Sequence, residues 1–209
     1  MKKPRNIALA VTILLLATSA CSILPESAPV QLLDPRLPAP SPSGRDTSWT
    51  LNITRPDSDP IRDSTRVLVR TGEGQLQAHA SARWIAAGPE LLRTLLVRHL
   101  RDAGTIAQIN ASAAGMERTL VLDLRRFELA ETGEARLQVE IGFEARLYDS
   151  STADLMAREL FEGRQPVSAA QPAAILQGFE AVLGEIIPAL ADWLTTRGGT
   201  RRGALRNLD

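Results

Sequence analysis

Only one cysteine occurs in the 209 residues, and its surroundings predict a chemical modification. Cys21 directly follows the small residues 18–20, which come after an apolar run over residues 7–17 and a basic start within residues 2–5. This layout is typical of a secretory signal peptide, and the apolar run is too short to span a bilayer. A lone cysteine cannot form an internal disulfide. We therefore predict that residues 1–20 are a signal peptide and that Cys21 is the lipid attachment point.

One position leaves an alternative open. Lipoprotein signals usually carry Leu three residues before the cysteine, where this chain has Thr18. Ordinary signal peptidase could also cut after residues 18–20, which would leave a soluble periplasmic protein with a free thiol. Ser22 stands where Asp would be expected for retention in the inner membrane. Ser22 at this position therefore favours location in the outer membrane of a Gram-negative cell.

Other residues that could do chemistry are few. His99 falls on the apolar stripe of a predicted helix, so we expect a core residue with a hydrogen-bonded ring. His79 lies in an extended segment, where we expect a surface or packing role. Glu140 and Glu144 fall on the solvated face of a predicted strand. The histidines are not at metal-ligand spacing, so we expect no metal site, and we expect no cofactor.

Composition excludes further classes of function. No Gly-x-Ser-x-Gly elbow, Walker loop or dinucleotide fingerprint occurs in the sequence. The full chain has 24 basic and 24 acidic residues, and removal of residues 1–20 takes away three basic ones, which leaves 21 against 24 and a net charge of −3. No basic stretch is interleaved with aromatic residues, which argues against nucleic acid as a partner. We therefore predict a protein that is not an enzyme.

The strands and helices that must position these residues can be predicted from hydrophobic periodicity and from the positions of proline and glycine. Alternation predicts strands at residues 49–53 and 65–69, and an irregular extended segment at 75–84. A helix is predicted from Gly88-Pro89-Glu90 to Gly104, because proline suits the first helical turn and glycine ends a helix. A weak extended piece follows at residues 105–109.

The second half has the stronger patterns. The apolar alternation of residues 120–124 slips in phase at Arg125-Arg126, which predicts a β-bulge before a regular return strand over residues 137–147. A third strand follows around residues 155–161. A long apolar stripe predicts a helix over residues 171–196, kinked at Pro188.

These elements predict an α+β domain, an antiparallel sheet with two helices packed on one face. Proline-rich residues 21–46 are predicted to form a lipidated tether that holds the domain, residues 47–197, off the membrane. Residues 198–209 are predicted to be a disordered tail.

Two aromatic sites could serve a partner. We predict, as a hypothesis, that Arg83 and Trp84 together with Trp193 and Leu194 contact a partner protein or a neighbouring copy of this chain. The alternative is that both tryptophans are buried in the monomer.

The sequence resembles a known family over residues 49–194. The motifs that carry the resemblance occur in the family's order and are the segments 49–56, 63–69, 82–84 with 89–92, 124–127, 158–161 and 191–194. The most recognisable is Arg83-Trp84 before a leucine-rich helix. On these motifs the chain is similar to the auxiliary lipoproteins of ABC-type transporters that work with mammalian-cell-entry (MCE) proteins, such as the outer-membrane lipoprotein of the paraquat-inducible system.

The resemblance implies a non-catalytic component of a lipid-transport system. Such a protein would be anchored in outer-membrane lipid through Cys21 and would bind an MCE-domain partner that spans the periplasm. Two other hypotheses stay open. One is an envelope-assembly or scaffold lipoprotein, and the other is an exported hydrolase in which His79 lies with a carboxylate and a hydroxyl nucleophile.

Overall fold

The computed structural model describes residues 29–40, 47–110, 115–133 and 136–199. Within these ranges, nine strands form one open mixed sheet and two helices cover one of its faces. The elements in chain order are β1 (Gln31–Leu33), β2 (Thr47–Ile53), β3 (Asp57–Ser58), β4 (Arg66–Arg70), β5 (Leu76–Trp84), α1 (Gly88–Ala103), β6 (Ile106–Asn110), β7 (Arg118–Thr132), β8 (Arg136–Asp149), β9 (Leu155–Val167) and α2 (Pro172–Gly198). Residues 1–20, Cys21 and the predicted tail beyond Gly199 lie outside the described residues.

Strand β7 is the centre of the sheet. One of its edges is paired along almost its whole length with β8, which is antiparallel and in turn pairs antiparallel with β9. The other edge is shared by β2, β3 and β4, which lie in succession beside it. The β7–β8–β9 meander agrees with the predicted antiparallel hairpins.

The prediction of an antiparallel sheet is confirmed only in part, because some of the strand pairs are parallel. β2, β3 and β4 run parallel to β7, β1 runs parallel to β5, and β2 runs parallel to β6. Parallel neighbours need a crossover connection, and α1 lies in the crossover from β4 to β7. Alternation of apolar and polar residues gives the face of a strand but not the direction of its neighbour, so the sequence pattern could not reveal these pairs.

The bulge predicted at Arg125-Arg126 is confirmed. Leu124 lies opposite Phe143 and Arg126 lies opposite Gly142, so Arg125 is an extra residue in β7. The shift returns Phe127 to the inner face of the sheet, where it is buried with the inward row of β8.

Both helices form where the breakers predict them. Pro89 lies in the first turn of α1, and Gly104 ends it in the left-handed region at φ 63°. Helix α2 begins at Pro172 and is a single helix through Pro188. By length and composition α2 could cross a membrane, but its apolar side chains are packed in the core, as expected of the central helix of a folded domain.

Close contacts place both helices on the same face. A Cβ atom added to Gly88 in α1 would lie 3.4 Å from the Phe127 side chain. One added to Gly178 in α2 would lie 2.9 Å from the Cγ2 atom of Val139. Phe127 and Val139 both belong to the inward row of β7 and β8. The predicted arrangement of two helices on one face is therefore confirmed.

The proline-rich segment is more ordered than its composition predicts. Residues 31–33 form β1 beside β5, and Leu33 is buried in the core. Downstream, the Arg36 N–H donates to Glu180 Oε1 at 2.9 Å, and Leu37 packs against the core. The folded domain therefore starts before residue 47, because an extended proline-rich chain can still pack on an apolar helix. Residues 31–33 therefore do not belong to the free tether predicted for residues 21–46.

Candidate functional site

Trp84 is a core residue. Only 1% of it is exposed, and its ring lies 5.3 Å from that of Phe127 and 4.6 Å, edge-on, from that of Phe179. This aromatic cluster joins β5, β7 and α2 at geometries that favour ring pairs. Its Nε1–H has no acceptor among the described residues. Trp84 thus offers no surface to a partner, contrary to its predicted contact role.

Of the second predicted pair, Trp193 and Leu194, only Trp193 has exposed surface. Leu194 is fully buried in the core. Trp193 is partly exposed, and its ring meets that of Phe161 edge-on at 5.9 Å. Trp193 follows Phe179 by fourteen residues in α2, which places it about 20 Å further along the helix axis. The four predicted residues therefore do not form one surface.

Arg83 lies on the outer face of the sheet, opposite the helices. Its Nη1 donates to the carbonyl oxygens of His79 at 2.6 Å and Ala82 at 2.8 Å. Arg66 on β4 and Leu32 on β1 are its direct neighbours across the strands. Neither arginine forms an ion pair within the described ranges.

Exposed apolar side chains surround these arginines. Val30 is 52% exposed, Leu32 69% and Ile85 55%. Leu32 lies on the side of Arg83, because the paired residues Leu33 and Trp84 that follow them point into the core. Val30 and Ile85 flank the ends of β1 and β5. We call Val30, Leu32, Ile85, Arg66 and Arg83 the basic–apolar patch. The patch is not apparent from the sequence, because the proline content of residues 21–46 predicts a tether that includes residues 30 and 32.

The two histidines have no catalytic partners in the described part of the chain. The Nδ1 atom of His79 accepts the Ser81 N–H at 3.3 Å, so its Nε2 atom must donate to the Ala170 carbonyl at 2.8 Å. His79 therefore ties β5 to the segment before α2, as a packing role predicts, and contacts no carboxylate or hydroxyl of the kind that the hydrolase hypothesis requires.

His99 is buried, as predicted, but its Nδ1 atom has no hydrogen-bond partner among the described residues. The prediction of a hydrogen-bonded ring is therefore wrong at this nitrogen. Burial lowers the pKa of His99, and the nearby carboxylates of Asp102 and Asp192 only partly oppose that shift.

No group of three or more potential metal ligands occurs within the described residues. Glu140 and Glu144 lie on the outer face of the sheet, where arginines neutralise them. Glu144 pairs with Arg125 at 2.6 Å, and Glu140 lies 3.8 Å from Arg164. These carboxylates lie on the charged outer face that the sequence predicts, but the arginines leave their side chains only 16% and 13% exposed.

An unpredicted ion cluster is buried on the same outer face. Glu128 is 0% exposed, and its carboxylate is bound by Arg62 and, at 2.7 Å, by the Nε atom of Arg70. Arg62 also pairs with Asp59. Burial tends to raise the pKa of Asp59, but hydrogen bonds from the Arg62 backbone and side chain outweigh burial and lower it. The ion pairs of Arg62 hold the loop between β3 and β4 against β7.

Comparison with known proteins identifies a family that the chain matches. The sequence pattern of the family described as "ABC-type transport auxiliary lipoprotein component" matches residues 32–191. An uncharacterized protein of Bradyrhizobium diazoefficiens is 28% identical over 154 residues, which cover 73% of this chain and 41% of that protein.

Solved structures share the fold. A Xanthomonas campestris protein from a domain family of unknown function superposes with a TM-score of 0.72 at 30% identity, over 81% of this chain and 96% of that one. A hypothetical protein of Chlamydia trachomatis superposes with a TM-score of 0.52 at 5% identity, over 72% of this chain and 98% of that one, and is alike in fold alone.

The matched region begins inside β1 and ends near the C-terminus of α2, so it takes in every strand and both helices of the domain. On that extent of agreement, the chain belongs to the family of ABC-type transport auxiliary lipoproteins.

Proposed function

We propose that this chain is the outer-membrane-anchored auxiliary lipoprotein of an ABC-type lipid-transport system and that it binds a periplasm-spanning MCE partner without catalysing a reaction. The family match over residues 32–191 carries the proposal. It fits the signal-like residues 1–20 and the sole cysteine at position 21. Ser22, in place of Asp, favours the outer membrane over the inner.

The chemistry of the domain supports a binding role. The histidine rings contact backbone groups or the core, and the best-buried carboxylate, Glu128, is held by two arginines. A protein that anchors one end of a transport system needs a rigid domain with contact surfaces rather than a polar reaction site.

The Trp193 end of α2 is the partner contact in this proposal. Tryptophan is enriched at the energetic centres of interfaces, because a rigid ring offers a large contact area. Trp193 is already held in place by Phe161, which itself stacks on Phe143 at 5.5 Å. Such a pre-ordered ring loses little conformational entropy on binding.

The anchor is tested by Cys21→Ala. We expect the variant to lose the mass of its lipid and to move from the membrane fraction to the soluble periplasm. A membrane-bound Cys21→Ala protein of unchanged lipid mass would contradict the assignment of Cys21.

The partner is tested with the MCE protein encoded by the same organism. Genes for an MCE protein, a permease and an ATPase beside this one would identify the candidate. We expect Trp193→Ala to weaken co-purification by about 30-fold, which corresponds to about 2 kcal/mol. Leu160→Ala, which truncates an exposed apolar side chain on β9, is the matched control and should bind normally. Full binding by folded Trp193→Ala would exclude this contact.

A further inference from the structure

The basic–apolar patch has no role in the contact proposed above. It lies on the outer face of the sheet at β1 and the end of β5, whereas Trp193 belongs to α2 on the opposite face. Its three aliphatic side chains are each more than half exposed. Large apolar groups gathered on a surface indicate a contact with a partner or a membrane.

The charge of the patch favours a membrane. Arg66 and Arg83 are cross-strand neighbours and form no ion pair with a described residue. Asp34 directly follows β1, and two arginines against this one carboxylate leave the patch net positive. Aliphatic side chains beside arginines suit a surface that offers anionic headgroups above an acyl boundary.

The position of the patch in the chain favours the same occupant. Because β1 belongs to the folded domain, only nine peptide units separate Cys21 from Val30. Fully extended, they reach about 30 Å at most. A lipid on Cys21 therefore keeps the patch close to the bilayer at a high effective concentration, where even weak contacts are occupied.

We infer that the basic–apolar patch rests on the phospholipid bilayer that holds the Cys21 lipid, so that β1 and β5 face the membrane and the Trp193 end of α2 is left free. The inference depends on the proposed lipid anchor. It replaces the picture of a domain held away from the membrane by a long tether, and it reassigns Arg83 from protein contact to lipid contact.

Single thiols test this orientation in the full-length lipidated protein. Lipidation consumes the natural cysteine, so Leu32→Cys or Ile85→Cys supplies one free thiol for an environment-sensitive fluorophore. The matched control is Leu160→Cys, an exposed leucine on the same outer face but on β9, at the opposite edge of the sheet from β1. In phosphatidylglycerol-containing vesicles we expect nitroxide-headgroup lipids to quench the labels at positions 32 and 85 but not the label at 160.

Equal, water-like fluorescence at all three positions would overturn the inference while leaving the anchor intact. Mass measurement of the same samples separates the two proposals, since a Cys21 without lipid would overturn both. Protection of position 85 only after the MCE protein is added would identify the patch as a protein contact and would also refute the membrane assignment.

A second measurement removes the anchor. The full mature chain with Cys21→Ser should bind phosphatidylglycerol vesicles weakly, and Leu32→Ser/Ile85→Ser should reduce that binding by about tenfold or more. Arg83→Gln should reduce it by about fivefold, and less at high salt. Leu155→Ser/Leu160→Ser on β9 is the control and should bind as its parent does. Indistinguishable binding by the patch and control variants, each folded by thermal melting, would contradict the proposal.

Discussion

Replacing Glu128 by glutamine tests how the domain holds its outer face together. Glu128→Gln keeps the shape of the side chain but removes the charge that Arg62 and Arg70 share. Breaking a buried ion pair costs about 3–5 kcal/mol, because the remaining charge stays buried without compensation. Arg62 keeps Asp59, and Arg70 can turn toward solvent, so we expect the low end, about 3 kcal/mol.

The cross-strand neighbour supplies the control. Glu140 lies directly opposite Glu128, but its arginine partners are largely solvated. Glu140 itself is 16% exposed, but its contacts to these arginines are long, 3.9 and 3.8 Å. Ion pairs with solvated partners are worth about 1 kcal/mol or less, so Glu140→Gln should cost no more than that. Urea unfolding measures both losses, provided that the slope of free energy against denaturant stays constant.

The double variant Arg62→Met/Glu128→Leu separates charge from packing. Apolar replacement of both partners leaves no buried charge, so it should recover most of the stability lost in Glu128→Gln. Equal losses for Glu128→Gln and Glu140→Gln, or a double variant less stable than Glu128→Gln, would refute the account of a buried, mutually compensated cluster.

Three further predictions concern the core. Trp84→Ala should cost about 3–5 kcal/mol in thermal unfolding, and a stable variant that fails only in partner binding would restore an interface role for this residue. Gly163→Ala places a Cβ atom 2.5 Å from Val182 Cγ1, so it should cost about 1–3 kcal/mol, and Val182→Ala in the same chain should relieve that cost. Because burial lowers the pKa of His99 below 6.5, the unfolded chain takes up the proton first, and stability should fall as the pH drops through 6.5. His99→Leu should lose that part of the pH dependence between about pH 7.5 and about pH 5.5, and an unchanged melting profile would contradict the assignment.

Local periodicity was enough to predict the β7–β8 hairpin and both helices. The side chains of β8 alternate strictly, so their inner and outer faces follow from the two-residue repeat of a strand. The slip after Leu124 could arise only from an extra residue, and the structure has it at Arg125. Prolines in the first turns and Gly104 at an end mark the helices because these residues restrict the backbone locally.

The candidate contact residues could be predicted only in part. Arg83 and Trp193 have exposed surface, but Trp84 and Leu194 lie in the core. A tryptophan has the same local pattern whether its ring fills a core or meets a partner. Phe127 and Phe179, distant along the chain, bury the Trp84 ring, and that proximity exists only after the strands and α2 have packed.

By itself, then, the sequence determined the type and ends of most elements, the facing of their side chains and the family motifs. Tertiary structure decided what covers each face. Glu128 falls at an outward-facing position of β7, where a solvated side chain is expected, yet the loop that carries Arg62 buries it. Residues 31–40 have the composition of a free linker, yet β1 pairs with β5. Alternation and composition describe each residue relative to its own backbone, whereas burial and strand direction depend on segments far away in sequence.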